Sequence, residues 1–316
     1  MIREFGSVRA VSAERPASGA ARTLLAALVN PPAGSARRHV LGDRLAAGAL
    51  VALAVIVMLA VAAPLVTPHA DQGRGATSIE DKLLAPSLAH PFGTDALGRD
   101  VLARVLFGAR TALASGLAIV LIGVVAGTLL GATAGYVGGW LDEAIMRVTD
   151  VFLAFPPLLL AMTVAVVLQP SLENAILAIA ITWWPWYARI ARGQAISLRE
   201  RHYVRAARGI GVSHPMVVLR HVLPNVMTPV WVQATLDLGA AILTVSALGF
   251  VGLGVPQPTA DWGAMISEGR IYVQTGHWWV PTFPGLALFV TIMAFNLAGD
   301  AVHMATSPRG RAMQDA

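Results

Sequence analysis

The segment between residues 203 and 224 combines small and basic residues in a spacing that suits docking against another protein. A short helix containing Ala206 and Ala207 is predicted to end at Gly211, since glycine readily adopts the conformation that closes a helix. Pro224 lies where the next helix begins, in the first-turn position that proline favours. We therefore predict an exposed docking helix, with the candidate residues Arg205, Ala206, Ala207, Arg208, Gly211 and Pro224.

Motifs for ATP hydrolysis and for common hydrolytic or zinc-dependent catalysis are missing from the sequence. A P-loop needs a glycine-rich run ending in Lys-Ser or Lys-Thr, because that lysine reaches the phosphates. The only lysine is Lys82, and no such glycines precede it. The histidines form no His-Glu-x-x-His frame, Gly-x-Ser-x-Gly does not occur, and cysteine is absent. We therefore predict that the chain is not an enzyme and has no catalytic residue, metal site or cofactor of its own.

One acidic residue, Asp237, interrupts a long apolar run. Ionisable residues inside membrane-crossing helices are rare and often functional. Two interpretations of Asp237 stay open. It is a local partner for a backbone group or a polar side chain, or it contacts a substrate or a proton in a pore.

These groups lie in a chain of 316 residues that is 56% hydrophobic and only 13% charged, with a mean hydropathy of +0.64. Soluble domains carry about 25% charged residues, and a helix needs about 20 apolar residues to cross a membrane. The sequence therefore predicts an all-α polytopic membrane protein. Its six predicted transmembrane helices lie within Leu45–Ala70, Thr111–Leu141, Val151–Leu172, Asn174–Ala188, His221–Ala260 and Ile271–Gly299.

The distribution of arginine predicts the orientation of these helices. Seven arginines lie in residues 1–44 and seven more in Arg189–Arg220, whereas the two short loops on the other side hold only Arg270. Basic residues accumulate in cytoplasmic loops, so both termini and the Arg189–Arg220 segment are predicted to be cytoplasmic. The basic residues form short blocks between uncharged runs, which fits membrane flanks better than a surface for nucleic acid.

Glycine recurs every fourth residue along the second predicted helix, at Gly123, Gly127, Gly131 and Gly135. Small residues at this spacing let two helices approach closely in a membrane. We interpret the stripe as a helix-packing seam, and a stripe lining a pore is the alternative. Two prolines, Pro156 and Pro185, are predicted to bend the helices that contain them.

The docking segment resembles the EAA loop of ATP-binding-cassette (ABC) importer permeases. Ala206, Ala207, Gly211, Leu223 and Pro224 keep the register of that motif, and arginine replaces its glutamate at position 205.

Three further segments resemble the DppC/OppC-type dipeptide and oligopeptide permeases of this family. His90–Asp100 is similar to their external signature, and Gly135–Asp142 to their turn between the second and third helices. Gly249–Pro256, followed by Asp261–Met265, is similar to the end of their fifth helix. The matches occur in the family's order, and the resemblance covers about Leu45 to Arg309.

The resemblance implies the MetI-like permease fold of type I ABC importers. It implies a permease subunit that forms half of a pore for di- or oligopeptides, with a DppB-like second permease, two ABC ATPases that bind ATP and Mg²⁺, and an external binding protein as partners. A nickel or glutathione importer permease of the same family is the first alternative. A secondary carrier outside the ABC class is the second alternative.

The predicted organisation has three parts in a bacterial cytoplasmic (inner) membrane. A disordered cytoplasmic tail spans 1–44, the permease domain spans 45–305, and a second cytoplasmic tail spans 306–316. Within the permease domain, an external loop is expected at about 68–110 and a cytoplasmic coupling loop at about 193–220.

Overall fold

The computed structural model describes residues 44–306, and the tails predicted on either side fall almost wholly outside this range. Within it no β-strand forms, and one isolated bridge joins Thr94 and Asp100. The α-helices in chain order are α1 Arg44–Val66, α2 Ala70–Gly73, α3 Val101–Val137, α4 Gly139–Leu153, α5 Pro157–Leu168, α6 Leu172–Arg199, α7 His202–Gly209, α8 His214–Val217, α9 Leu223–Phe250, α10 Trp262–Gly269 and α11 Trp279–Thr306.

Four of the described helical segments are long and apolar enough to cross a membrane on their own. They are Leu45–Val66, Val101–Val137, His214–Phe250 and Trp279–Met304. The bent pair formed by α4 and α5 makes a fifth if it is counted as one span. The remaining predicted span corresponds to α6, which has 28 residues but carries several arginines toward its C-terminal end.

The packing of α6 against α3 supports a sixth crossing. A Cβ on Gly123 would contact Tyr187. A Cβ on Gly135, which lies nearer the C-terminal end of α3, would contact Arg192 and Ala195, which lie nearer the C-terminal end of α6. The two helices therefore run parallel, side by side. Since they are parallel, the chain between them must return to the starting end, and α4 and α5 make that return.

The break between α4 and α5 lies where the sequence predicts a bend. The two helices meet at 90° across the residues around Pro156. Proline has no backbone N–H to donate to the preceding turn, and its ring clashes with the carbonyl four residues earlier. By contrast, Pro185 is accommodated inside a continuous α6.

Several predicted boundaries are wrong because charged residues lie inside helices. α3 begins at Val101, ten residues before the predicted start, with the Asp100 carboxylate accepting a hydrogen bond of 2.7 Å from the N–H of Ala103. The loop predicted to be external therefore ends near residue 100 rather than 110. The predicted coupling loop at 193–220 is mostly helical, since it contains the end of α6, all of α7 and the start of the next helix.

Two apolar clusters hold the bundle together. The larger one joins α3, α5, α6, α7 and α9, and the smaller one joins α1, α3, α10 and α11. The larger cluster reaches from the centre of the bundle to the small helix α7 at one end. That helix is therefore fixed to the bundle.

Candidate functional site

The C-terminal end of α7 confirms the predicted role of Gly211. Gly211 adopts a φ of +86°, which L-residues with side chains rarely adopt. Its N–H donates to the carbonyl of Arg208 at 3.0 Å, and the N–H of Val212 donates to the carbonyl of Ala207 at 3.1 Å. These two bonds form a Schellman motif, which closes the helix sharply.

The two faces of α7 differ in what they present. Val204 and Ala207 are buried in the larger apolar cluster, with 0% and 7% of their surface exposed. Arg205, Ala206 and Arg208 are exposed. The prediction that Ala207 belongs to the docking surface is therefore wrong, because its side chain anchors α7 to the bundle. The small residue left on the exposed face is Ala206.

A polar groove of about 670 Å³ lies beside the exposed face of α7. It is lined by Glu200, Arg205, Arg208, Gly209, Val212 and His214. His214 is held in place by the Tyr136 hydroxyl, which lies 3.2 Å from its Nδ1. The groove is therefore lined by two guanidinium groups and by a histidine that contacts Tyr136.

Pro224 lies in the first turn of α9, as predicted, but the helical conformation begins before α9. A short π-helix, Val218–Val222, joins α8 to α9 without a break. The N–H of Leu223 donates to the carbonyl of Val218, five residues back. Because Pro224 cannot donate a helical hydrogen bond, the widened turn accommodates it. Pro224 thus shapes the junction between the docking segment and the membrane helix.

Ion pairs between α4 and α6 balance the arginines of α6. Arg192 forms two hydrogen bonds with the Asp142 carboxylate, at 2.6 and 2.8 Å. Arg189 lies 2.7 Å from Asp150. A bidentate arginine–carboxylate pair is the strongest of these geometries. It fixes the start of the bent pair against α6, close to the docking helix.

The glycine stripe is a packing seam, as predicted. A Cβ on Gly127 would lie 2.6 Å from the Cβ of Tyr187, and a Cβ on Gly131 would lie 2.8 Å from the Cα of Ala188. A Cβ on Gly135 would meet the carbonyl oxygen of Arg192 at 2.5 Å. α3 and α6 therefore touch backbone to backbone along this face. Because α6 covers these positions, the packing favours a seam over the alternative of a pore-lining stripe.

Asp237 lies halfway along α9 and has two side-chain partners. The Tyr187 hydroxyl donates to its Oδ2 at 2.7 Å, and the Gln233 amide donates to its Oδ1 at 2.9 Å. Asp237 therefore has the polar side-chain partners that the first interpretation expects, and the second interpretation stays open. The residue also faces a cavity of about 370 Å³ between α5, α6 and α9, lined by Pro157, Thr182, Trp183, Trp186, Ile190, Gln233 and Asp237.

The opposite end of the bundle carries a buried ionic cluster. The Arg99 guanidinium donates to Asp95 at 2.6 Å and to Glu268 at 3.2 Å, and it is 2% exposed. Arg104, equally buried, lies 3.7 Å from Asp95. Through Arg99, this cluster joins the loop before α3 to α10. Its ion pairs also explain how an arginine is accommodated inside the first turns of α3.

Asp261 caps α10 beside this cluster. Its carboxylate accepts a hydrogen bond of 2.8 Å from the N–H of Ala264. Burial raises the pKa of Asp261 to about 6, although hydrogen bonds from Ala264 and Gly263 and the charge of Arg104 oppose the shift. Burial dominates because it removes the charged form from water.

We expect Asp261 to make the protein less stable as the pH rises. Its pKa in the folded protein, about 6, lies above the ordinary value of 3.8, so its contribution is full below about pH 4 and is lost as the pH passes 6. A shift of this size corresponds to about 3 kcal/mol. Asp261→Asn keeps a capping side chain and should make the stability depend less on pH. The unfolding temperature at pH 5 and at pH 8 measures this dependence. If it changes with pH equally in the variant and the wild type, Asp261 is not the group responsible.

A second polar group at the same end consists of His69, His90 and Asp100, whose donor atoms lie within 4.8 Å of one another. These donors already have partners. His90 Nδ1 lies 2.9 Å from Asp100 Oδ2, and His69 Nε2 lies 3.2 Å from the carbonyl of Ala89. A metal ion would have to displace these contacts. The contacts themselves explain the cluster, since they brace the residue that caps α3.

Sequence reasoning missed the residues that surround Asp237 and the buried partners of Arg99. Tyr187 is 50 positions from Asp237, and Glu268 is 169 positions from Arg99. The sequence signals for the cavity were Asp237 itself and the tryptophans on either side of Pro185, which fit a membrane-interface belt equally well.

Comparisons with known proteins agree with this architecture. Residues 123–311 match the family model of the binding-protein-dependent transport system inner membrane component. The chain is 42% identical over 273 residues to the D,D-dipeptide transport system permease protein DdpC of Escherichia coli K12, covering 86% of this chain and 90% of that protein. It is 41% identical to the nickel transport system permease protein NikC of the same organism, covering 80% and 90%.

A solved structure shows the fold. A chain of the MetNI methionine ABC transporter in inward-facing conformations superposes with a TM-score of 0.50 and 20% identity. The match covers 66% of this chain and 96% of that chain.

Proposed function

Because this chain belongs to the family of binding-protein-dependent transport system inner membrane components, we propose that it forms half of the pore of an ATP-driven importer for di- or oligopeptides. It is a multi-pass permease subunit with the fold of type I ABC importers. The proposed partners are a DppB-like second permease, two ATPases and an external binding protein. In this arrangement ATP and Mg²⁺ are bound by the ATPases.

The observation that carries the proposal is the exposed helix α7. It is closed by a Schellman motif, anchored by Val204 and Ala207, and exposed on the face that bears Ala206. A rigid helix with a small residue on its free face fits a groove on another protein. We propose that an ATPase subunit grips this helix, with Arg205 and Arg208 at the rim of the contact.

The proposed orientation follows from the same helix. It places α7 and both termini in the cytoplasm and the ionic cluster around Arg99 outside. The motion of the gripped helix reaches the membrane along two routes. One is the π-helical junction into α9, and the other is the paired α4 and α6, held by Arg192 and Asp142.

Peptide is favoured over nickel by the membrane cavity. Among the described residues that line it, Asp237 is the one carboxylate, and none is a histidine. Imidazole is a preferred ligand of nickel, whereas a single carboxylate between two indoles suits an organic cation. Glutathione is itself a small peptide, so import of glutathione remains the alternative within the same chemistry.

We expect Ala206→Trp to separate assembly from transport. The indole would occupy the exposed face without entering the core, so the complex should purify in normal yield. Uptake and the ATPase activity stimulated by the loaded binding protein should fall together by at least about tenfold. Both are measured in proteoliposomes that contain the whole complex.

Two further variants make this test specific. Ala206→Ser keeps the helix and the small size, and it should transport at close to the wild-type rate. Ala207→Trp should instead lower the yield of folded protein, because Ala207 is buried. An Ala206→Trp complex that transports as the wild type does would remove the docking assignment.

A further inference from the structure

The cavity beside Asp237 lies near the middle of two long helices of the bundle. Asp237 is at the midpoint of α9, Leu223–Phe250, and Trp183 and Trp186 flank the midpoint of α6, Leu172–Arg199. The 90° bend before Pro157 brings the start of α5 to the third side. A volume of about 370 Å³ falls in the range of about 300–1,000 Å³ that small-molecule sites occupy.

The carboxylate of Asp237 is held in one orientation and keeps free acceptor capacity. Tyr187 and Gln233 each donate one hydrogen bond, one to each oxygen. A carboxylate offers about four acceptor sites, so roughly half of them are free. Asp237 is half-buried and lines the cavity, so a ligand there can reach the carboxylate.

The negative charge of Asp237 has no cationic partner within residues 44–306. None of the ion pairs described there involves it, and the residues lining the cavity include no lysine, arginine or histidine. By contrast, the neighbouring acids Asp142 and Asp150 are both paired with arginines of α6. An unpaired acidic group at this depth usually marks a ligand or ion path.

The walls of the cavity favour an organic cation. The indoles of Trp183 and Trp186 present aromatic surface, and aromatic faces attract ammonium groups. Ile190 and Pro157 add apolar surface, and Thr182 adds a hydroxyl. The complement of this site is a primary ammonium group attached to a small, partly apolar body.

We infer that Asp237 binds the ammonium group of the transported peptide within the membrane, between the indoles of Trp183 and Trp186. This inference rests on the proposed function as a peptide importer and assigns it a substrate contact. Tyr187 and Gln233 are positioning residues, because they fix the carboxylate without needing to touch the peptide.

The test uses a photoreactive dipeptide, alanyl-photoleucine, and its N-acetylated form. Each is added to the purified complete complex in nanodiscs without binding protein, so that recognition by that protein does not enter. After illumination, mass spectrometry quantifies labelling of the segments around Trp183 and Asp237. The free-amine peptide should label the wild type at least about tenfold more than the acetylated one. Equal labelling by the two peptides would overturn the inference, and this comparison needs no variant.

Variants then identify the group responsible. Asp237→Asn keeps the size of the side chain but removes the charge, and it should reduce labelling by the free-amine peptide to the acetylated level. Asp237→Glu should retain a preference for the free amine. Tyr187→Phe removes a donor but leaves the charge, and its preference should stay within about threefold of the wild type. If Tyr187→Phe loses the preference for the free-amine peptide as completely as Asp237→Asn does, the hydrogen bond from Tyr187 rather than the charge of Asp237 is responsible. The inference then fails.

The proposed function is tested separately, by measuring peptide uptake into proteoliposomes that contain the complete importer and its binding protein. Uptake without any preference for the free amine in labelling refutes the ammonium site alone. A clear preference without uptake of any peptide refutes peptide import and leaves the ammonium site standing.

Discussion

Replacing Gly131 by leucine is expected to abolish assembly of the bundle. A Cβ at this position would lie 2.8 Å from the Cα of Ala188 and closer still to its carbonyl oxygen. Side chains can move aside, but the backbone of α6 cannot move without separating the two helices. Overpacking costs about 1–3 kcal/mol where neighbours can adjust, and here the neighbour is backbone. The yield of folded complex in detergent should fall at least about tenfold.

The matched control is Gly48→Leu, another glycine-to-leucine change in a candidate membrane span. Gly48 is exposed on α1, and a Cβ there would meet nothing within 4 Å. This variant should assemble in normal yield. Normal assembly of Gly131→Leu with altered transport would instead support a pore-lining role for the stripe and contradict the packing seam.

Replacing Arg99 by methionine is expected to destabilise this end of the bundle by about 3–5 kcal/mol, because the buried Asp95 and the half-buried Glu268 lose the guanidinium that joins them. Arg99 is 2% exposed and joins Asp95, in the loop before α3, to Glu268 of α10. Methionine fills a similar length without a charge. Thermal unfolding followed by tryptophan fluorescence measures the loss, since Trp262 and Trp279 are buried nearby.

Arg147→Met provides the comparison. Arg147 pairs with Glu143 at 3.1 Å, but both side chains are largely exposed, at 77% and 69%. Exposed pairs of this kind contribute about 0.3–0.5 kcal/mol, so this variant should unfold almost as the wild type does. Equal effects of the two substitutions would show that the ionic cluster around Arg99 does not stabilise the fold.

The sequence by itself determined the features that depend on local pattern. Apolar runs of membrane length predicted the helical class, and the spacing of Gly123 to Gly135 predicted the packing seam. Pro156 predicted a bend, and Gly211 predicted the end of α7. Each of these follows from one stretch of chain, because helix length, glycine spacing and proline chemistry act within a few residues. The family signatures were visible for the same reason.

The placement of charges was decided only by the tertiary structure. A charged residue ends an apolar run, so the sequence placed the start of α3 after Arg110 rather than at Val101. The structure extends the helix because Arg104 is buried beside Asp95 and α10. α6 likewise continues past Arg189 and Arg192, because α4 supplies Asp150 and Asp142. Arg104 is buried and needs a charged neighbour, which the loop before α3 supplies, whereas the partners of the more exposed Arg189 and Arg192 come from α4.

The orientation of individual side chains was also decided by packing. Ala206 and Ala207 are adjacent and chemically identical, yet one is exposed and the other anchors α7, because only one faces the larger apolar cluster. Asp237 is a lone acid in the sequence, and the fold gives it Tyr187 from another helix and a cavity to face. Spacing along one helix cannot specify which face meets another helix when both faces are small or apolar. That choice requires the neighbouring helices to be in place.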